Sequence, residues 1–312
     1  MNNVYWQWFE KKIILTFSLL AFLLIACKDE SKKKVEYDSP QKGTIHISVD
    51  ETFQPVISEQ IKVYQSLFPE THIEAEYKPE ADCFRDLQKD STRMIIVAHG
   101  LGEKEMEAYK KSLYFYPKQD VIAYDAISVV VNPASSDSSF TIDGLKKLLS
   151  DSSSNGSQIV MDGNSATSTV KYLLDSIMNG IKFGKNVEAA KGSMAVINFV
   201  RDNPKAIGFV GSSWTSDEED PQQVAYMKKV KLALIECKSC GKDTYTRPSQ
   251  NTMMNGEYAL VRPLYCILKE SSMMLGTAFF NFMSYEKGQL IFRRAGLVPG
   301  KMNFTIRKST LN

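Results

Sequence analysis

The sequence predicts an α/β protein built from two lobes with a ligand cleft between them. From residue 43 onward, short apolar strands alternate with amphipathic helices, an order typical of parallel strands joined by helical crossovers. This pattern occurs twice along the 312 residues, and a single late strand then leads back toward the first set. A second lobe inserted into a discontinuous first lobe explains the order and leaves a cleft that hinge motion can close.

The first set of elements begins where apolar and polar residues alternate over 44–49, which is the period of a strand. Pro55 then occupies a position that the first turn of a helix accepts, and apolar residues recur at helical spacing up to Leu67. The next elements are predicted, in the order strand, helix, strand and helix, over 72–77, 84–89, 94–98 and 103–111. The three strands are therefore expected to pair in parallel.

The second set begins with a strand over 121–131 that stops at Asn132-Pro133. The elements predicted after it are a helix over 142–149, a strand over 158–161, helices over 168–178 and 194–200, strands over 207–210 and 230–235, and helices over 273–285 and 288–295. The predicted boundaries are a signal peptide over 1–27, a linker over 28–42, a first lobe over 43–124 and 235–312, and a second lobe over 125–234.

Charge and composition exclude some classes of function. Lys and Arg total 38 against 36 Asp and Glu, so there is no basic field of the kind that nucleic-acid binding requires. Three His residues offer little material for a metal site. We therefore predict a protein that binds neither nucleic acid, metal nor cofactor.

The N-terminus indicates export. Lys11 and Lys12 precede an apolar run over 13–26 that ends at Cys27, the arrangement of a secretory signal. The run is shorter than the roughly 20 residues of a spanning helix, although an uncleaved membrane anchor remains an alternative. The stretch from Leu24 to Cys27 resembles a bacterial lipobox, which implies lipidation of Cys27 and a protein anchored in the cell envelope, on the periplasmic face or the outer surface.

Four further cysteines leave a redox or metal role open. Cys237 and Cys240 have CxxC spacing, but no second pair of zinc ligands is evident and the following residues form a turn rather than a helix. A structural disulfide or two loop thiols fit better. Cys83 and Cys266 are interpreted as small buried apolar side chains.

The strongest candidate site is the loop over 161–169, which runs into the helix predicted from Ser168. The helix start offers free backbone N–H groups, and Asn164, Ser165, Thr167 and Ser168 are its candidate ligand contacts. An ordinary N-cap explains the same residues without a ligand. Both interpretations remain open from the residues alone.

Two other strand ends carry candidate contacts. Asp50, Thr52 and Phe53 follow the first strand, where hydroxyl and N–H groups can donate to an anion and Asp50 or Glu51 can accept a proton from it. His99 follows the third strand, at the edge where open α/β sheets bind ligands. Solvated turn residues and a satisfied loop histidine are the alternatives.

The sequence contains no GxSxG, HExxH or GxGxxG pattern, and we predict that the chain is not an enzyme.

Four stretches resemble the phosphate-binding proteins of ABC transporters, the PstS-like members of the type II periplasmic-binding-protein family. They are the stretches 124–133, 204–211 (with Ala-Ile-Gly-Phe-Val), 258–265 (with Arg-Pro-Leu-Tyr) and 279–299. The resemblance spans about residues 43–300. It implies the two-lobed type II fold, a small oxyanion ligand such as phosphate, an ABC permease as partner, and a monomer held to the membrane by its lipid anchor.

The chain departs from the family pattern at its binding loops. Ala166 replaces a Gly of the second-lobe loop, and no Arg stands beside that loop. Asp50-Glu51 replaces a Gly-Ser/Thr turn, and His99 replaces a Ser or Arg. Two functions follow: capture of an oxyanion for transport, or a diverged scaffold that serves as a surface sensor or adhesion module. A phosphate-ester hydrolase is a third class, but the sequence offers no nucleophile or metal cluster for it.

Overall fold

The structure is a computed structural model that describes residues 38–150, 156–163 and 166–301. Its strands are β1 Lys42–Asp50, β2 Glu70–Lys78, β3 Thr92–Val97, β4 Lys118–Val131, β5 Ser139–Phe140, β6 Gln158–Met161, β7 Val187–Ala189, β8 Ala206–Gly211, β9 Lys231–Leu232, β10 Leu234–Glu236, β11 Tyr245–Thr246, β12 Val261–Leu268 and β13 Val298–Pro299. Its α-helices are α1 Gln54–Leu67, α2 Glu80–Leu87, α3 Glu103–Leu113, α4 Ile142–Ser150, α5 Ser168–Tyr172, α6 Ser193–Asp202, α7 Pro221–Met227, α8 Gln250–Met254, α9 Leu275–Ser284 and α10 Glu286–Arg294.

The first lobe is built on β1 with parallel neighbours β2 and β3, as the alternation of strands and helices predicts. Helices α1, α9 and α10 bury their apolar side chains against this sheet, and Tyr64, Phe279 and Phe292 belong to the same core. On the other side of β3, a smaller cluster that includes Cys83 and Leu87 packs under α2. The lobe therefore has helices on both faces of a mainly parallel sheet.

The second lobe repeats this plan with β6 at its centre. β6 pairs in parallel with β7 and β8. Val170 and Leu173 of the α5 segment pack on one face, while Val196 and Val200 of α6 pack on the other. The segment from Leu173 to Ile177 continues α5 as a π-helical turn.

Strands β4 and β12 join the two lobes. β12 pairs antiparallel with β3 at one end and with β4 along its length. β4 then continues into the second lobe, where it pairs antiparallel with β8. A single sheet with the order β2-β1-β3-β12-β4-β8-β6-β7 results. This is the two-lobed α/β architecture that the sequence predicts.

Several local expectations differ from the structure. The turn expected over 50–53 is a 3-10 helix over Glu51–Phe53 that leads directly into α1. The strand expected over 230–235 is divided into β9 and β10, because β9 pairs with β4 and β10 with β5 and β11. The exposed helix α7 was not predicted, because its apolar residues are too few to mark a face.

The lobe boundaries remain a prediction, and the packing bears on one of them. Ile235, Tyr258 and Leu260 lie in a core with the second-lobe residues, whereas Leu264 lies in the core of the first lobe. We therefore propose that the chain returns to the first lobe near Val261 rather than at residue 235.

A disulfide joins Cys237 and Cys240 in the turn between β10 and β11. Cys83 and Cys266 are free thiols and are fully buried. Cys237 and Cys240 therefore form the structural disulfide that the sequence favours, and Cys83 and Cys266 are core side chains. Among the described residues, no helix is both long and apolar enough to cross a bilayer.

Candidate functional site

A buried ion pair lies where the two lobes meet. Asp125 of β4 and Arg262 of β12 are directly opposite each other in the antiparallel register. Nη2 and Nε of Arg262 are 2.9 Å and 3.1 Å from Oδ2 of Asp125, and both residues are at most 1% exposed. A charge buried this deeply requires a partner, and the cross-strand register provides it.

The second oxygen of Asp125 holds the end of β8 in place. Ser212 donates its hydroxyl to Oδ1 of Asp125 at 2.6 Å, and the backbone N–H of Ser213 approaches the same oxygen at 3.3 Å. Ser213 in turn donates its hydroxyl to the carbonyl of Thr52 at 2.5 Å. A hydrogen-bonded path therefore connects the ion pair to the loop after β1.

The start of α5 presents hydroxyls to the same region. Thr167 is its N-cap and accepts a hydrogen bond from the N–H of Val170. Thr167 and Thr169 both donate to the carboxylate of Asp162, at 2.8 Å and 2.7 Å. Ser168 does not share this partner in the same way, because its hydroxyl accepts a hydrogen bond from Nη1 of Arg262 at 2.9 Å.

The loop after β1 approaches from the first lobe. Asp50 caps the 3-10 turn by accepting from the N–H of Thr52 at 3.0 Å. The Thr52 hydroxyl lies 3.4 Å from Asp162 and 3.5 Å from Ser168, so it bridges the lobes. The Phe53 ring is fully buried beneath the guanidinium of Arg262, with 5.0 Å from its centroid to Cζ.

The cluster contains more carboxylates than cations. Burial and the nearby charge of Glu80 raise the pKa of Asp50 to about 7, although Arg262 opposes the shift. Burial also raises the pKa of Asp162, against the hydrogen bonds from its threonine neighbours. Oδ2 of Asp50 is buried without a hydrogen-bond partner among the described residues. Asp50 is therefore poised to exchange a proton near neutral pH.

No group of three or more His, Cys, Asp or Glu side chains in the described part of the chain is arranged to hold a metal ion. The three buried aspartates are instead saturated by hydroxyls, backbone N–H groups and Arg262, apart from the free oxygen of Asp50. The arrangement is suited to hydrogen bonding of a small polar ligand between two lobes.

Comparison with known families matches residues 34–286 to the PBP superfamily domain. The chain belongs to this family. The phosphate-binding protein PstS of Borreliella burgdorferi is 21% identical over 308 residues, which cover 93% of this chain and 98% of that protein. The relatives found are binding proteins by name, which supports the interpretation that the chain is not an enzyme.

Solved structures show the same fold. A structure from Clostridium perfringens assigned as a phosphate ABC transporter substrate-binding protein, with bound phosphate, matches with a TM-score of 0.66 at 18% identity. It covers 82% of this chain and 99% of that one. An ABC-type phosphate transport receptor from Vibrio cholerae matches with a TM-score of 0.59 at 16% identity, covering 82% of this chain and 100% of the receptor. The PstS-like resemblance and the type II fold are thus confirmed.

Within this PBP superfamily fold, the structure brings together most of the predicted site residues that it describes. The residues that meet at the lobe junction are Asp50, Thr52, Phe53, Thr167 and Ser168. Asn164, Ser165 and the predicted lipidation site Cys27 lie outside the described residues. Whether any of these residues contacts a ligand stays a prediction.

His99 is peripheral to this cluster. Its side chain is 43% exposed and packs on the ring of Phe84, with centroids 4.5 Å apart. Its Nδ1 lies 2.9 Å from the buried carboxylate of Glu80, but the pair lacks hydrogen-bond geometry. His99 therefore reaches the cluster only through Glu80, whose charge acts on Asp50.

Sequence reasoning assigned no role to Arg262, Asp125 or Asp162. It noted that no Arg stands beside the second-lobe loop, whereas the structure supplies one from β12, far along the chain. A signal was present, because Arg262 is the only charged residue of β12 and Asp125 the only charged residue of β4 from Val121 to Val131. Recognising it required the strand register, which places the two charges opposite each other.

Proposed function

We propose that this chain is an extracytoplasmic solute-binding protein that captures phosphate, or a closely similar protonated oxyanion, between its lobes. One observation carries the proposal: Thr52, Ser168 and Arg262 converge from different elements beside the carboxylate of Asp50, whose Oδ2 has no hydrogen-bond partner among the described residues. The similarity to phosphate-binding proteins over most of the chain supports the same ligand class.

The chemistry of these groups favours a ligand that carries a proton. The guanidinium and the two hydroxyls donate to oxyanion oxygens, as do the N–H groups of Phe53 and the 164–168 loop in this proposal. Asp50 accepts the ligand's proton, or donates one when protonated. Sulfate carries no proton at neutral pH, so only the protonated form of Asp50 could hydrogen-bond to it, and the fraction of that form falls as the pH rises through about 7.

Calorimetric titration of the chain without residues 1–27 tests the proposal. Phosphate is expected to bind with micromolar affinity or better, and sulfate much more weakly. Ser168→Ala is expected to weaken phosphate binding by about ten- to a hundredfold, since a hydrogen bond to a charged group contributes roughly 1.5–3 kcal/mol. Ser66→Ala removes an exposed hydroxyl of α1 that bonds only its own helix, and it serves as the matched control.

Folded protein that gives no heat with phosphate or any other oxyanion would exclude this function. A diverged scaffold that acts as a surface sensor or adhesion module would then be the better proposal. Asp50 and Glu51, at which the sequence departs from the pattern of the family it resembles, would be its signature.

We further propose delivery to an ABC permease by a protein anchored through a lipid on Cys27. Mass spectrometry of the membrane-bound protein is expected to find cleavage after Ala26 and an acylated Cys27. Cys27→Ser is expected to abolish the modification and release the protein from the membrane. An unmodified, uncleaved N-terminus would contradict the anchor and leave the binding proposal untouched.

A further inference from the structure

A second polar contact crosses between the lobes beside the proposed ligand cluster. Glu51, the residue before Thr52, extends from the first lobe to the start of α6 in the second. Its Oε1 accepts the backbone N–H of Ser193 at 2.9 Å, and its Oε2 accepts the Ser193 hydroxyl at 3.1 Å. One carboxylate thus makes two hydrogen bonds to a single residue of the opposite lobe.

The start of α6 is built to receive this carboxylate. Gly192 is its N-cap and provides no side-chain cap for the helix. Gly192 has a φ of 86°, and a Cβ at this position would lie 3.0 Å from Oε1 of Glu51. Any side chain there would be strained and would crowd the carboxylate, so glycine admits Glu51 to the helix N-terminus.

Two physical effects favour the contact. The N-terminus of a ten-residue helix has unpaired N–H groups and the positive end of the helix dipole, both of which attract a carboxylate. Ser193 is fully buried, so its hydroxyl and N–H would lack partners in a dry environment if Glu51 withdrew without water replacing it. Glu51 of the first lobe therefore caps the N-terminus of α6 in the second lobe.

We propose that Glu51 is an interlobe latch that stabilises the closed arrangement in the absence of ligand. It acts on the lobe closure on which the proposed function depends, but it does not require that the ligand be phosphate. Closure without ligand makes the binding-competent form more populated, and apparent affinity rises with that population. Opening, which ligand entry and release both need, then requires breaking the latch.

The test measures closure directly in ligand-stripped protein. Spin labels at Lys104→Cys in α3 and Lys228→Cys after α7, both exposed positions in different lobes, report the interlobe distance by pulsed electron resonance. Protein that retains Glu51 is expected to show mainly the short distance between the two labels, which corresponds to closed lobes. Glu51→Ala is expected to lower the ratio of closed to open molecules about tenfold, and Ser193→Ala by a smaller factor because the N–H bond remains.

Glu59→Ala is the matched control, because this glutamate of α1 is exposed and pairs only with Lys62 three residues on. It is expected to leave the distance distribution unchanged. If Glu51→Ala, shown to be folded by its circular dichroism and cooperative melting, has the distribution of the parent protein, the latch is excluded. Should Glu51→Ala not fold, an unchanged distribution in Ser193→Ala leads to the same conclusion.

A phosphate titration of the same variants separates the two proposals. Glu51→Ala is expected to weaken binding by the factor by which it reduces the closed population, with a faster dissociation rate. If the distances respond to Glu51→Ala but no oxyanion binds, the latch stands and the ligand proposal fails. If phosphate binds tightly but the distances do not respond, the reverse holds.

Discussion

Arg262 is the residue on which the proposed site depends most. It is the largest fully buried side chain, and it contacts Asp125, Ser168 and the Phe53 ring. A guanidinium stays protonated even when buried, so it supplies a permanent positive charge among several carboxylates. Its removal would leave the buried carboxyl group of Asp125 without its ion-pair partner.

Replacing this side chain is therefore expected to be costly for the fold as well as for binding. Arg262→Met should lower the free energy of unfolding by about 3–5 kcal/mol, the range for breaking a buried ion pair at one partner. Adding Asp125→Asn should recover part of that loss, since the orphaned charge disappears. Urea denaturation measures the free energy of unfolding of the single and the double variant. Arg201→Ala, which removes a partly exposed arginine that bonds its neighbours Asp202 and Asn198, should shift the unfolding midpoint much less. Equal effects of the two arginine variants would contradict this assignment.

Asp50 gives the molecule a specific dependence on pH. Its pKa is raised from 3.8 to about 7 in the folded protein, mainly by burial. As the pH rises through this interval, the unfolded chain releases the proton first, so folding stability falls and the penalty is complete above about pH 7.

Asp50→Asn removes this titration while keeping an oxygen that can accept from the N–H of Thr52. The variant's gain in unfolding free energy over the parent protein should grow as the pH rises from about 4 to about 7, and the growth should be on the order of 4 kcal/mol above that interval. Denaturation series at several pH values measure it, with Glu59→Gln as the exposed-carboxylate control. If the difference in unfolding free energy between Asp50→Asn and the parent protein does not depend on pH, the raised pKa does not belong to Asp50.

At the scale of elements, the close approach of β8 to the first lobe is the tightest constraint on the site. A Cβ on Gly211 would lie 2.3 Å from Cγ2 of Thr52, 3.1 Å from Nη2 of Arg262 and 3.2 Å from Oδ2 of Asp125. No other residue fits at the end of β8 without moving the loop or the ion pair.

Gly211→Ala is therefore expected to push the two loops apart. Overpacking of this kind costs about 1–3 kcal/mol, so phosphate affinity should fall about tenfold or more. Gly241→Ala is the control, because its added methyl would meet only Oγ1 of Thr244, at 3.8 Å. Calorimetric titration with phosphate compares the affinities of the two variants. Unchanged affinity in Gly211→Ala would mean that the closed arrangement is not the form that binds phosphate.

The elements also mark what the sequence can and cannot predict. Strong periodicity located β1, β3, α1 and α4, because each has one clear apolar face or an apolar run. The short strands β5, β7 and β11 have two or three residues each, too few for a periodic signal. They exist because neighbouring strands offer them hydrogen-bond partners.

The same reason explains the incomplete prediction of the site. Thr52, Thr167 and Ser168 are polar residues at helix starts, which sequence patterns can identify. The roles of Asp162 and Arg262 depend on contacts between residues about 100 positions apart, such as Thr52 with Asp162 and Arg262 with Ser168. Local patterns contain no information on those distances.

At the scale of the whole molecule, closure joins the two lobes through polar contacts. Ser213 bonds to Thr52, Glu51 bonds to Ser193, and the N–H of Ala81 donates to the carbonyl of Ala166 at 3.0 Å. The apolar clusters belong to one lobe or the other. A polar interface of this kind can be rehydrated, which makes opening and closing compatible with stable lobes.

Ligand binding across this interface should couple the lobes and stabilise the whole chain. At phosphate concentrations of about 100 times the dissociation constant, the free energy of unfolding should rise by about 2.7 kcal/mol. This corresponds to a melting temperature roughly 5 °C higher or more for a chain of this size. Differential scanning calorimetry measures the shift, with sulfate at equal ionic strength as control. Equal shifts with both anions would indicate a general salt effect.

The position of the ion pair on β4 and β12 has a mechanical consequence. These two strands are the connection between the lobes, so a rotation of the lobes about this connection would leave Asp125 and Arg262 close to its axis. Atoms near such an axis would move little, whereas the contacts that Thr52 and Ser193 make across the lobes would open. The lobes could then separate while Arg262 stays paired with Asp125. The positive charge of Arg262 would then stay paired with Asp125 in both the open and the closed arrangement, so an arriving anion would meet it already positioned.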